Sequence, residues 1–81
     1  MELEYLKEVQ KTVGAKQTLK ALQRGDVSLL LVACDGELKV VSSLLEMAQK
    51  NVVEIDQTHT MEELGKACRI KVKAAAVGVL K

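Results

Sequence analysis

The run Leu29-Leu30-Leu31-Val32-Ala33-Cys34 constrains the fold of this chain more than any other segment. It carries no charge and does not alternate apolar with polar residues, so it predicts a strand over 28–34 that is buried on both faces. Such a strand needs an apolar layer above it and another below. Segments with helical spacing lie on either side of it in the sequence, and they supply those layers.

Leu3, Leu6, Val9 and Val13 recur at helical intervals, which predicts a first helix over 2–12. Gly14 ends it. A second helix is expected from Ala15 to Arg24, with Leu19 and Leu22 inward and Gly25 as its stop. Asp35-Gly36 reads as a turn, and Val41, Leu44, Leu45 and Ala48 mark a third helix from Leu38 to Gln49. Val52-Val53-Glu54-Ile55 reads as a second strand. Thr60-Met61-Glu62-Glu63 has the spacing of a capping box, opening a helix that continues through Leu64, Ala67 and Cys68. Residues 74–80, alanine-rich with Gly78 inside, read as a strand closing the sheet. Strands alternating with helices predict an α/β fold with helices on both faces of a small sheet, in a single domain over 1–81.

Composition removes several classes of function. No apolar run approaches the ~20 residues of a membrane span, and the start of the chain is acidic where a signal peptide is basic, so a cytoplasmic protein is expected. Cys34 and Cys68 stand in no metal-ligand spacing and read as buried free thiols, pairing only if the fold brings them together. No metal and no cofactor is expected. Tyr5 is the one aromatic residue, which argues against modules that bind single strands by stacking. Cys34, His59 and Asp35 are the best nominees for a catalytic set, but one histidine with nothing fixing its distance to a nucleophile does not make an enzyme.

The net charge of +1 conceals segregation. Residues 7–24 hold Lys7, Lys11, Lys16, Lys20 and Arg24 against Glu8 alone. Residues 65–81 hold Lys66, Arg69, Lys71, Lys73 and Lys81 with no acid, and the acids concentrate between them. Such polarity can build a basic face on a near-neutral protein.

The stretch Gly14-Ala15-Lys16-Gln17-Thr18-Leu19-Lys20 joins these threads. A glycine lets backbone approach a ligand closely. The helix that follows offers unpaired N–H groups and partial positive charge to an anion. Lys16, Gln17 and Lys20 add donors at that end.

This stretch, taken with Leu64-Gly65-Lys66-Ala67-Cys68, Ile70, Val72 and the alanine-rich strand, resembles the kink-turn RNA-binding ribosomal proteins of the L-seven-Ae type and their short bacterial homologues. Gly14 to Lys20 is similar to the family's glycine–x–Asn/Lys–Glu/Gln–x–x–Lys signature. The resemblance covers almost the whole chain and implies a three-layer α-β-α sandwich around a mixed sheet of about four strands. It implies that Gly14 lets the main chain approach RNA, that Lys16 and Gln17 reach base edges of sheared G·A pairs, and that Lys20 meets phosphate or a guanine edge. It also implies that the loop Thr58-His59-Thr60-Met61 packs on a flipped-out nucleotide, and Lys66 of the second motif joins the RNA-binding set; Met61 by itself reads as core at a helix start. Lys16 and Gln17 match the bacterial variant of the signature, and Arg69 stands where relatives commonly have glycine. The expected protein is a non-catalytic monomer that recognises kink-turns in ribosomal RNA, a riboswitch or a small RNA, with the ribosome as a further expected partner. The rival expectation is a ribosome-associated interaction or assembly adaptor that uses the same fold without kink-turn recognition.

Overall fold

A four-stranded mixed sheet lies between two helical layers in the computed structural model, which describes residues 3–81. After a 3-10 turn, Leu3–Lys7, come β1 (Lys11–Val13), α1 (Ala15–Arg24), β2 (Val27–Val32), α2 (Leu38–Lys50), β3 (Glu54–Asp56), α3 (Met61–Ala67) and β4 (Ala76–Leu80). The strand order is β1-β4-β2-β3. β4 runs antiparallel to β1 and β2, whereas β2 and β3 are parallel. This is the three-layer α-β-α sandwich that the resemblance implies.

β2 shows how one strand serves two cores. Leu31, with Ala33 just beyond the strand, packs with Leu64 and Ala67 of α3 and with Leu6 of the 3-10 turn. Leu30 and Val32 point the other way, onto Ala21 and Leu22 of α1 and Leu44 and Ala48 of α2. Alternate side chains of a strand face opposite sides, so a continuous aliphatic run fills both layers.

On the α1 side β4 offers only Ala76 and Gly78 near the middle of the sheet. A Cβ on Gly78 would lie 2.8 Å from Thr12 Oγ1 and 3.1 Å from Thr18 Cγ2. That missing side chain is what lets α1 sit down on the sheet. Thr18 is fully buried there, and its hydroxyl is satisfied by the Thr12 hydroxyl at 3.0 Å.

Three expectations are corrected. The expected first helix, whose first residue lies outside the described ones, is a 3-10 turn followed by β1. Lys11, Thr12 and Val13 pair with Val79, Gly78 and Val77, so sheet pairing overrides a spacing that looked helical. β2 ends at Val32, which leaves Cys34 exposed rather than buried, while Cys68 is half-buried and both are free thiols. The second strand begins at Glu54, because Val52 turns out of line to end α2.

All three α-helices end in one hydrogen-bond pattern. In α1, Gly25 N–H donates to Leu22 O and Asp26 N–H to Ala21 O. In α2, Val52 N–H donates to Gln49 O and Val53 N–H to Ala48 O; in α3, Arg69 N–H donates to Lys66 O and Ile70 N–H to Gly65 O. This is the Schellman motif, whose turning residue is left-handed and normally glycine. Only α1 uses glycine. Val52 holds φ 55° and Arg69 holds φ 59°, a conformation costing an L-residue about 1–2 kcal/mol.

Two expected outcomes follow from these contacts. Val52→Gly, at a side chain 92% exposed, should raise the unfolding free energy by about 0.5–1 kcal/mol in urea titration, the relief of strain being partly offset by the freer unfolded chain. Gly65→Ala should do the opposite although it sits inside a helix. Its Cβ would run into the Val72 carbonyl oxygen and come within 3.3 Å of Lys73 Cα, so a loss of about 1–3 kcal/mol is expected.

Candidate nucleic-acid interface

Because β1, β2 and β3 run in the same direction, their C-terminal ends line one edge of the sheet beside the start of β4. The connections leaving those ends therefore meet at one end of the molecule. Three consecutive alanines lace them together. Ala76 O accepts Gly14 N–H (2.8 Å), Ala75 O accepts Ala33 N–H (2.9 Å), and Ala74 N–H donates to Met61 O (3.1 Å). Cys34 N–H donates to His59 O at 2.8 Å and ties the β2–α2 turn to the β3–α3 loop.

Gly14 caps the start of α1 with φ 95° and ψ 152°, angles that exclude other residues on conformational grounds. Open space lies where its Cβ would be. No side chain caps this helix and its first turn holds no acid. Ala15, Lys16 and Gln17 present backbone N–H groups with no partner among the described residues, and Lys16, Gln17 and Lys20 are exposed. This end is equipped for an anion and for a hydrogen-bonding edge.

The start of α3 is the reverse. Thr60 Oγ1 accepts Glu63 N–H (3.2 Å), Glu63 Oε1 accepts Thr60 N–H (2.9 Å), and Asp35 Oδ1 accepts Met61 N–H (2.8 Å). Asp56 Oδ1 takes both the Thr58 N–H (2.9 Å) and its hydroxyl (2.6 Å). Carboxylates already occupy these donors, so this loop has little left for phosphate. The Thr58 hydroxyl bond is the main reason the Asp56 carboxyl is lowered to about 2, against the opposing effect of burial. The bond from Thr60 N–H likewise lowers Glu63. His59 Nε2 is buried without a hydrogen bond among the described residues, 4.0 Å from Asp56 Oδ2.

The expected residues thus divide. Gly14, Lys16, Gln17 and Lys20 share the start of α1, and Thr58, His59 and Thr60 lie at the same end of the sheet, with both threonine hydroxyls engaged internally. Lys66 stands apart in the last turn of α3, in the opposite layer, paired with Glu62 at 3.3 Å on the surface. Two features escape a reading of the sequence. Lys39 shares with Lys16 the rim of a groove of ≈ 350 Å³ between α1 and α2, floored by Ala15, Leu19, Val40 and Leu44. The segment 71–75 leads back to this end at Ala74 and Ala75, while Lys71 and Lys73, exposed around Val72, lie beside Glu62, Lys66 and Ile70. The acid-free run 65–81 was the signal for the second; nothing in the sequence announces the first, since it depends on how two helices lie together.

Among the described residues no helix is long and apolar enough to cross a membrane, and no cluster of His, Cys, Asp and Glu could hold a metal ion. Comparison with known proteins is consistent in one direction. The family model described as ribosomal protein L7Ae/L30e/S12e/Gadd45 matches residues 4–81. An "RNA-binding protein" of Geobacillus thermodenitrificans (strain NG80-2) is 39% identical over 69 residues, covering 85% of this chain and 84% of that one. An "RNA-binding protein" of Bacillus pumilus (strain SAFR-032) is 43% identical over 68 residues, covering 84% and 83%. The solved structure of the Giardia lamblia 15.5kD RNA binding protein superposes with a TM-score of 0.87 at 24% identity, covering 98% of this chain and 70% of its own, a likeness of fold.

The carboxylate that braces the β3–α3 loop sets an acid limit. Asp56 has a folded pKa of about 2 against its ordinary 3.8. Its contribution is therefore complete above the unfolded value and lost as pH falls from about 4 through about 2. Urea midpoints across that window should fall more steeply for the parent protein than for Asp56→Asn, which keeps the acceptor oxygen and removes the titration.

Proposed function

The chain belongs to the ribosomal protein L7Ae/L30e/S12e/Gadd45 family, and on that premise we propose that it is a non-catalytic protein that recognises kink-turns in structured RNA. The observation that carries the reading is the contrast between two helix starts at one end of the sheet. That of α1 is open, uncapped and basic; that of α3 is closed by Thr60, Glu63 and Asp35.

The chemistry follows from what RNA shows at a kink. In a regular A-form helix the base edges of the major groove are out of reach of side chains. Sheared G·A pairs at a kink expose edges otherwise hidden, and a helix start is narrow enough to reach them. Gly14 lets the backbone come close. Gln17 offers both a donor and an acceptor to a base edge, and Lys16 adds donors beside it. Lys20, one turn on, meets phosphate or a guanine edge. The β3–α3 loop, with its amides occupied by carboxylates, is suited to a sugar or base: His59 and Thr58 pack on an extruded nucleotide there. The family description supports ribosomal RNA as one source of the motif, and the relatives' names support an RNA partner.

The protein acts by selecting a shape. It moves the equilibrium between extended and kinked RNA by its difference in affinity for the two. With donor and acceptor dyes on the two arms of a kink-capable duplex, titration should raise energy transfer, and replacing the G·A pairs should abolish the rise while leaving weak binding that salt removes. Gln17→Ala should weaken binding to the kinked RNA by ~1–3 kcal/mol. Lys20→Ala should weaken it with less change in selectivity if it meets phosphate. If both variants fold and bind as the parent does, the start of α1 is not the site. Plotted as log affinity against log salt, binding should fall with a slope of roughly −3 to −4 for three or four phosphates. A slope near zero would favour the adaptor reading.

A further inference from the structure

We propose that the groove between α1 and α2 binds a small organic anion, a carboxylate with a compact hydrocarbon body, whose charged group lies between Lys16 and Lys39. The groove measures ≈ 350 Å³ and its floor is aliphatic, with Ala15 and Leu19 from α1 and Val40 and Leu44 from α2. Small-molecule sites have this make-up, mostly apolar walls with a few placed polar groups. The placed groups here are two ammonium groups, one from each helix. Lys16 and Lys39 are exposed, and neither forms an ion pair among the described residues. Neither helix has an acid in its first turn, and no carboxylate of the chain lines the groove. Two like charges on the walls of one groove gain from an anion placed between them.

The dimensions select the body. Ala15 to Leu19 is about one helical turn and so is Val40 to Leu44, a rise of about 6 Å in each helix. That length takes a fused ring or a short chain. A partner helix is read by anchors at i, i+3 or i+4, and i+7, over roughly 10 Å. Beyond Leu19 the seam instead turns polar, with Gln23, Glu46 and Lys50 beside Met47. A nucleobase fits poorly too. Its edges carry donors and acceptors, but the one hydroxyl lining the groove, Ser43 Oγ, already donates to Lys39 O at 3.2 Å. Those edges would be left unpaired, at a cost that a hydrocarbon body does not incur. The groove itself does not depend on the RNA reading above, but one consequence rests on it, because Lys16 serves both. A carboxylate held at Lys16 competes with RNA at the start of α1, so ligand and RNA weaken each other by the same factor.

The probes are 2-naphthoate and its uncharged counterpart 2-naphthamide. Each is titrated at matched ionic strength into the isotope-labelled parent protein, Lys16→Gln and Lys39→Gln, with backbone amide shifts as the readout. Unfolding curves of the three proteins are recorded alongside. Naphthoate, with about thirteen non-hydrogen atoms, should bind the parent with a Kd of order 1 mM. Its shifts should centre on residues 15–19 and 39–44, the walls of the groove. Each variant should bind naphthoate about two- to fivefold more weakly than the parent does. Naphthamide should bind the parent more weakly than naphthoate and should not distinguish the three proteins. Naphthoate should also weaken the parent's affinity for a kinked RNA, and naphthamide should do so less.

Shifts scattered over the lysine-bearing surface, or equal binding of naphthoate by all three proteins, would overturn the proposal. So would naphthamide binding as tightly as naphthoate, since the apolar floor would then act without the cations. If Lys39→Gln alone weakens naphthoate, and RNA binding is indifferent to the ligand, the carboxylate does not reach Lys16 and its placement between the two lysines is wrong. A parent that binds no kinked RNA defeats the kink-turn reading and with it the antagonism. The naphthoate titrations still decide the groove in that case, because they contain no RNA.

Discussion

The start of β4 is the joint on which the functional end depends. Within three residues, Ala74 N–H holds the beginning of α3, Ala75 O holds the end of β2, and Ala76 O holds Gly14. Each bond fixes a different connection, and all three fall on consecutive backbone units. Short side chains suit this place: Ala74 and Ala76 are buried, one in each core. A larger residue at either position would push a helical layer off the sheet and move the loops with it. The alanine-rich strand that looks least like chemistry in the sequence is what puts the chemical residues in one place.

Charge then divides the labour at that end. Carboxylates from three different segments, Asp35, Asp56 and Glu63, accept from backbone amides of the β3–α3 loop and the first residue of α3. These donors stabilise Asp56 and Glu63 in their ionised form, and the bonds stiffen the loop. The cations stay outward on α1 and on the segment before β4. A protein whose total charge is close to zero thereby keeps the start of α1 basic and its carboxylates bonded at the start of α3. The arrangement also explains why Thr58 and Thr60, which look like ligand-binding hydroxyls in a linear reading, serve the loop's own geometry.

Much of this was legible before any coordinates. The bounds of α1 were marked by Gly14 and Gly25, because only glycine accepts both conformations cheaply. The capping box of α3 was visible in Thr60 and Glu63, since capping is local chemistry written in four residues. The aliphatic run of β2 called for two covering layers. What escaped the sequence was non-local. Lys11-Thr12-Val13 becomes a strand only because Val77-Gly78-Val79 lies beside it. Val52 and Arg69 take a glycine's conformation because their helices must turn where they do, and neither residue type signals it. Cys34 is exposed because β2 stops at Val32 and the chain then turns toward His59, a contact 25 residues ahead in the sequence.

The pairing of β1 with β4 has a consequence for the order in which the molecule can be made. Lys11 to Val13 must wait for Val77 to Val79 before they have a partner, and α1 rests against a strand that is the last to be synthesised of all those described. Neither Gly14 nor the buried Thr18 can reach its final position on a shorter nascent chain. Pairing across so much sequence places the closure of the sheet late and makes folding slower than in a purely helical protein of this size. An emerging polypeptide therefore carries its lysines as a loose cationic segment, and the shaped surface exists only once β4 has been added.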